Sequence, residues 1–172
     1  MVADRFPLPT ELSGTRVEID GRPAPPFAVA NVNGMEQINF QVPFDAPCIE
    51  QSFNDDYCPA LFAVVNNGVS SAAVGSLVLG QSPGIFTVDG RAGAILHGAT
   101  SLFVSASLPA QKGEVVALFA TGLGYVNPFP QAGTPASSSP LSYSMFGVVV
   151  SVGGKLAGVL FSGLAPGFVG LN

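Results

Sequence analysis

The sequence predicts an all-β protein with little helix, organised as two related modules. Polar and apolar residues alternate in several short stretches, which is the period-2 pattern of a half-buried strand; Val17 and Ile19, set between Arg16, Glu18 and Asp20, are the clearest case. Turn residues rich in glycine separate these stretches. No run of ten or more residues free of Gly and Pro shows the 3.6-residue period of a helix. The 21 glycines and 15 prolines are spread along the chain and punctuate short strands.

The first module is predicted to contain two hairpins and a cysteine-bounded loop. Asp20-Gly21 marks the first turn, and Asn66-Asn67-Gly68 marks a second turn between two apolar runs. The last of the early strands, Gln37 to Pro43, alternates Ile38, Phe40 and Val42 with Asn39 and Gln41. The predicted strands lie near residues 15–20, 24–30, 36–42, 60–65 and 69–79.

The second module repeats this pattern more weakly after a join at residues 80–86. Lys112 to Gly124 predicts a turn, a buried strand and a glycine-rich exit, and residues 146–161 predict a hairpin around Gly153-Gly154. Residues 127–144 predict a long polar loop, which we expect to be functional or mobile and tolerant of a deletion of residues 131–139. The module boundaries are therefore residues 1–82 and 83–172.

Composition excludes some classes of partner. The net charge is −5, and beyond Glu114 the only charged side chain is Lys155, so the basic face that nucleic-acid binding needs is absent. The apolar runs end well before the roughly 18–20 residues of a membrane helix, so no membrane insertion is expected. A surface of neutral polar residues suits a secreted protein or one that is covered by neighbouring protein. We expect an extracellular or cell-surface location, with any export signal lying upstream of Met1.

Several segments resemble, in order, the C-terminal domain carried by many secreted proteins of Solibacter-type soil acidobacteria, which is itself similar to tandem IPT/TIG immunoglobulin-like domains. The matching segments are spread, in family order, over nearly the whole chain: 8–10, 12–15, 17–25, 37–43, 67–72, 83–86, 112–124 and 163–167. The resemblance implies two immunoglobulin-like β-sandwich modules outside the cell, and it implies no particular activity.

The chain also departs from that family, and the departures predict self-association. The first module lacks the family's opening strand, and the second stops at Leu171-Asn172, where a closing Gln-x-Asn-x-x-Val-Pro strand is expected, so the chain resembles a fragment of the family domain. Unpaired sheet edges recruit strands from other chains. We therefore expect a strand-sharing homo-oligomer, either a swapped dimer or a head-to-tail chain.

The two cysteines predict a disulfide. Cys48 and Cys58 bound a polar loop between strands, and in such a loop a bridge is the simplest arrangement, which indicates an oxidising compartment. A zinc site is a poor alternative, because two Cys and one distant His do not complete a ligand set. The loop is an insertion relative to the family's short turn. It is also, with residues 127–144, one of the two loops in which we expect any function to reside.

Three sets of residues are candidates for chemistry. His97 is the only histidine, and a catalytic triad would need it together with Asp89 or Asp45 and a serine such as Ser101 or Ser105. Because the sequence contains no Gly-x-Ser-x-Gly elbow, a structural role for the imidazole is favoured. Glu50, Asp55 and Asp56 offer oxygen ligands for Ca²⁺ but match no EF-hand, which favours a solvated acidic loop. The loop residues available to stack on a ligand, such as a sugar ring, are Tyr57, Tyr125 and Tyr143.

The function that the sequence favours is a non-catalytic spacer, adhesion or protein-interaction module without a cofactor. A small secreted hydrolase of esters, lactones or glycans is the alternative from another class. A carbohydrate-binding module is a further alternative, and both protein and polysaccharide remain open as ligands. Gly122-Leu123-Gly124 is too short for a phosphate loop, because no helix is expected to follow it.

Overall fold

The computed structural model describes residues 1–46 and 57–172. Within those ranges the chain forms strands, turns and loops but no helix, and hence no helix that is long and apolar enough to cross a membrane. The all-β prediction is confirmed. The acidic loop residues Glu50, Asp55 and Asp56 lie outside these ranges, as does Cys48.

The larger sheet of the first half is antiparallel and has five strands. Its order is β2-β1-β5-β6, and β7 pairs with the other end of the long β5. The strands are β1 (Thr15–Ile19), β2 (Arg22–Ala24), β5 (Tyr57–Asn66), β6 (Val69–Ser70) and β7 (Val74–Leu79). Both predicted turns are present, with Asp20, Gly21, Asn67 and Gly68 all at positive φ, as tight hairpin turns require.

A second layer covers one face of this sheet. It is the hairpin of β3 (Pro26–Val32) and β4 (Met35–Phe40). Ile38 and Phe40 of β4 pack against a buried cluster of Val17, Ile19, Ala24 and Ala60. The alternation of β1 therefore places its apolar side chains in a core between two layers, as the sequence predicts.

The second half consists of four short antiparallel pairs. These are β8 (Gly84–Ile85) with β11 (Ala120–Thr121), β9 (Ile95–His97) with β10 (Val116–Leu118), β12 (Val126–Asn127) with β13 (Tyr143–Ser144), and β14 (Val150–Val152) with β15 (Lys155–Ala157). Its core is small and comprises Val126, Ala136 and Leu164. Phe44 from the first half packs against that core, so the two halves share apolar contacts.

The segment at 127–144 forms a long loop between β12 and β13, as the sequence predicts, and two of its residues are anchored to other parts of the chain. Gly133 donates its N–H to the buried side chain of Gln41 (2.7 Å) and accepts a bond from Leu8 N (2.8 Å). Ala136 is buried and exchanges backbone hydrogen bonds with Phe168 and Gly167. The segment therefore connects the two halves through Gly133 and Ala136, while its serines at 137–139 remain exposed.

Candidate functional site

A cleft of about 1000 Å³ lies between the two halves. One wall comes from β4, β5 and β7, and the other comes from residues 121–125 and 164–172. Leu77 and Leu79 of β7 and Phe86 of the join are about half exposed at this cleft, so it is open to solvent.

The cleft is lined by apolar and aromatic side chains. Among the described residues that line it, none is Asp, Glu, Lys, Arg or His. Its polar groups are neutral amides and hydroxyls, such as those of Asn39, Ser82 and Thr121. Its aromatic rings are those of Phe27, Phe40, Phe44, Tyr57, Phe62, Phe86 and Tyr125.

The Gly-Leu-Gly segment closes one side of the cleft. Gly122 and Gly124 both have positive φ, and a Cβ on either would collide with the backbone carbonyls of Ser82 and Gly80, respectively. Ser82 N also donates to the Gly122 carbonyl (2.9 Å). These glycines therefore allow two backbones to meet at the join. This explains the motif without a phosphate site.

Two of the three predicted stacking residues meet at the cleft. Tyr57 and Tyr125 both line it, although they come from different halves of the chain. Burial raises the pKa of Tyr125, whose ring lies 6.5 Å from that of Phe146. Tyr143 lies elsewhere, with its ring edge-on to Phe161 at 5.3 Å.

His97 occupies a separate, shallower pocket of about 570 Å³ at the end of β9. Its side chain is buried, and both ring nitrogens are engaged: Nδ1 with Glu114 Oε1 (2.6 Å) and Nε2 with the Leu108 carbonyl (3.2 Å). The second oxygen of Glu114 accepts from Gln111 N (2.8 Å). Because carboxylate and carbonyl oxygens only accept, both contacts are hydrogen bonds only when the ring is a protonated imidazolium, so this environment favours the charged form.

The His97 ring and the Glu114 carboxylate each favour the charged form of the other. The hydrogen bond that Glu114 accepts from the ring raises the pKa of His97, whereas burial of the ring acts in the opposite direction. Backbone donation from Gln111 N, with His97 adding to it, lowers the pKa of Glu114. An imidazolium with both N–H groups engaged has no lone pair with which to act as a general base.

The triad residues considered with His97 make other contacts. Asp89 accepts from the N–H groups of Arg91 and Ala92, which lowers its pKa. Ser105 shares a hydrogen bond with Ser107 (3.1 Å), and Ser101 donates its backbone N–H to the His97 carbonyl (2.8 Å). For Asp45, the backbone carbonyl accepts from Arg22 Nη1 (3.5 Å). The sequence reasoning missed Glu114, the residue that His97 does contact.

The remaining candidates fall at or beyond the limits of the described residues. Cys58 is buried in β5, but Cys48 lies outside the described ranges, so the disulfide stays a prediction. The same holds for a Ca²⁺ site at Glu50, Asp55 and Asp56. Across residues 1–46 and 57–172, no three His, Cys, Asp or Glu side chains lie close enough together to hold a metal ion.

The cleft and the His97 pocket are thus two concave features of the described residues at which chemistry-bearing side chains gather. Comparisons with protein-family models, with curated proteins and with solved structures found no match to this chain.

Proposed function

We propose that this chain is a non-catalytic, immunoglobulin-like protein-interaction module of a secreted or cell-surface bacterial protein, and that it associates with a second copy of itself through its strands. The antiparallel two-layer first half, the resemblance to IPT/TIG-type domains and the predicted pairing of Cys48 with Cys58 support this proposal. The observation that carries it is the β14–β15 hairpin.

The β14–β15 hairpin is apolar and unsupported. Val149, Leu156 and Leu160 are each about 80% exposed, and neither strand pairs with any other described strand. A two-stranded hairpin alone in water is marginally stable at best. Apolar side chains exposed along it favour a partner that buries them.

The same chain offers an apolar strand edge that would suit such a partner. β7 pairs with β5 on one side only, and its Val74, Leu77 and Leu79 are exposed. An edge of this kind accepts a further strand through its free backbone groups. Lys155 is the only charge on the hairpin, whereas the first half carries most of the acidic residues, so electrostatics favour contact between unlike halves of two copies.

Light scattering coupled to size-exclusion chromatography over a dilution series tests the association. We expect the wild-type mass to fall from oligomer to monomer on dilution. The triple variant Val149→Ser, Leu156→Ser, Leu160→Ser should be monomeric at every concentration, because it removes the three most exposed apolar side chains at the hairpin.

The matched control substitutes exposed apolar residues of the other hairpin. Val32→Ser with Met35→Ser alters the tip of β3–β4, which is also exposed, and should leave the association unchanged. A wild-type chain that stays monomeric at all concentrations, or an equal effect of both sets of substitutions, would contradict the proposal.

A further inference from the structure

The cleft between the two halves has the properties of a small-molecule site, a role that shares Leu77 and Leu79 with the proposed β7 edge but uses no residue of the β14–β15 hairpin. It is concave, mainly apolar and bounded by strands and close-packed glycine turns. Ligand sites typically enclose about 300–1,000 Å³ and combine apolar walls with a few polar groups. The cleft, at about 1000 Å³, reaches the upper end of that range.

The charge of the lining selects the class of ligand. No described lining residue has a charged side chain, so an ionic group brought into the cleft would lose its hydration without gaining a side-chain counter-ion. Aliphatic and aromatic side chains greatly outnumber the amides and hydroxyls around the cleft. A sugar, which is covered with hydroxyl groups, would leave most of those groups unpaired against such walls.

Both halves contribute aromatic rings to the same space. Tyr57 is exposed at one side, and Tyr125 faces the cleft from the other half. Phe86, in the join, is also about half exposed. From the apolar lining, the absence of charged side chains and the convergence of rings, we infer that the cleft binds one neutral, largely apolar small molecule.

Titration with N-phenyl-1-naphthylamine, a neutral probe whose fluorescence rises in apolar surroundings, tests this inference. The full chain should bind the probe saturably with a stoichiometry of one. Leu79→Lys places an ammonium group in the cleft and should weaken binding at least tenfold. Leu79 is 49% exposed, which limits the cost of the substitution to folding.

Val74→Lys is the matched control. Val74 lies on the same strand and is 66% exposed, but it does not line the cleft, so its variant should bind within twofold of wild type. Phe86→Ser, also at the cleft, provides a second test if Leu79→Lys does not fold, and it too should weaken binding. The triple hairpin variant should bind the probe like wild type, since its residues lie outside the cleft.

The inference is overturned by non-saturable binding, by equal losses in Val74→Lys and Leu79→Lys, or by loss of binding in the hairpin variant, because each would locate the probe on exposed apolar surface in general. Binding of a neutral oligosaccharide such as cellohexaose without binding of the probe would overturn the apolar class of ligand.

Discussion

The two hydrogen bonds of the His97 ring are part of the local structure. The ring closes the segment that runs from β9 to β10, since it donates to Leu108 in the middle of that segment and to Glu114 near its end. Lys112 also lines the pocket, so the charged groups around the ring are Glu114 and Lys112. Loss of the ring proton would leave one of the two acceptors without a donor.

This arrangement predicts a pH-dependent stability. The pKa of His97 is raised above its ordinary 6.5, so its contribution is complete below pH 6.5 and is lost as the pH rises through the higher folded value. The pKa of Glu114 is lowered below its ordinary 4.5, so its contribution is lost only as the pH falls through that lower value. Thermal unfolding should therefore show a Tm that decreases above pH 6.5.

The control for this dependence is His97→Gln, which retains a side-chain donor but does not titrate. Its Tm at pH 6 should be several degrees below that of wild type, and its decline between pH 6.5 and 8 should be smaller. Parallel profiles for the two proteins would show that His97 is not the titrating group.

Gln41 shows why side-chain alternation alone misplaces a residue. The sequence places it on the polar side of a strand, with Val42 on the apolar side. In the structure β4 ends at Phe40, after which the chain turns and buries Gln41 while Val42 is 40% exposed. Its carboxamide then accepts the N–H of Gly133 from the other half, a contact 92 residues distant in sequence that no local pattern records.

We predict that Gln41→Ala destabilises the protein by about 1–3 kcal/mol, because it leaves the buried N–H of Gly133 without an acceptor. Denaturant unfolding measures the difference. Gln37→Ala is the control: Gln37 belongs to the same motif, but its amide makes an exposed bond to Asn39, so the change should be within about 0.5 kcal/mol. Equal losses of unfolding free energy in Gln41→Ala and Gln37→Ala would contradict this prediction.

At the scale of elements, hairpins were the most predictable feature. Their turns are specified locally, by Asp20-Gly21 and by Asn67-Gly68, because these residues adopt positive φ at low cost. The final hairpin was placed correctly but is shorter, with strands only at Val150–Val152 and Lys155–Ala157. The 127–144 segment is a loop between its terminal strand residues, but Gly133 and Ala136 are buried in it through long-range contacts that composition does not encode.

Gly133 tests the structural role of that segment. Its φ is +77°, and a Cβ there would lie 3.0 Å from Leu8 N and 3.1 Å from Leu8 O. Gly133→Ala should cost at least about 1–2 kcal/mol from the left-handed backbone alone. Gly147→Ala, where a Cβ meets nothing within 4 Å, should be nearly neutral. Deletion of 131–139 should abolish cooperative unfolding. A deletion variant that keeps the wild-type Tm would show that the loop is dispensable for folding.

At the scale of the whole molecule, the sequence predicted two modules but not how they meet. Local patterns reveal the hairpins β1–β2, β3–β4, β5–β6 and β14–β15, whereas the other strand pairs of the second half join segments distant in sequence. The contact between them uses Phe44 against the second core, Gln41 against Gly133, and a shared cleft. Tyr57 and Tyr125, two of the three residues that the sequence offers for ligand stacking, both line this cleft, but their convergence depends on this packing and could not be inferred from their spacing.

The two cysteines bear on the compartment in which the whole molecule folds. Cys58 is buried at the start of β5 and lines the cleft, and Cys48 is the only other cysteine in the chain. A bridge between them would close a short loop and stabilise the fold by about 2–3 kcal/mol in the chain-entropy model. Unreduced, denatured protein should therefore show no reaction with a thiol label, and reduction should lower the Tm.

Cys48→Ser and Cys58→Ser separate the covalent effect from the packing of each sulfur. If the bridge forms, reduction should no longer change the Tm of either single variant, and each should expose one reactive thiol. Cys58→Ser should be the less stable of the two, since it also places a hydroxyl at a buried position in β5. Two reactive thiols in the unreduced wild-type protein would refute the bridge, and with it the cysteine-based argument for an oxidising, extracellular location.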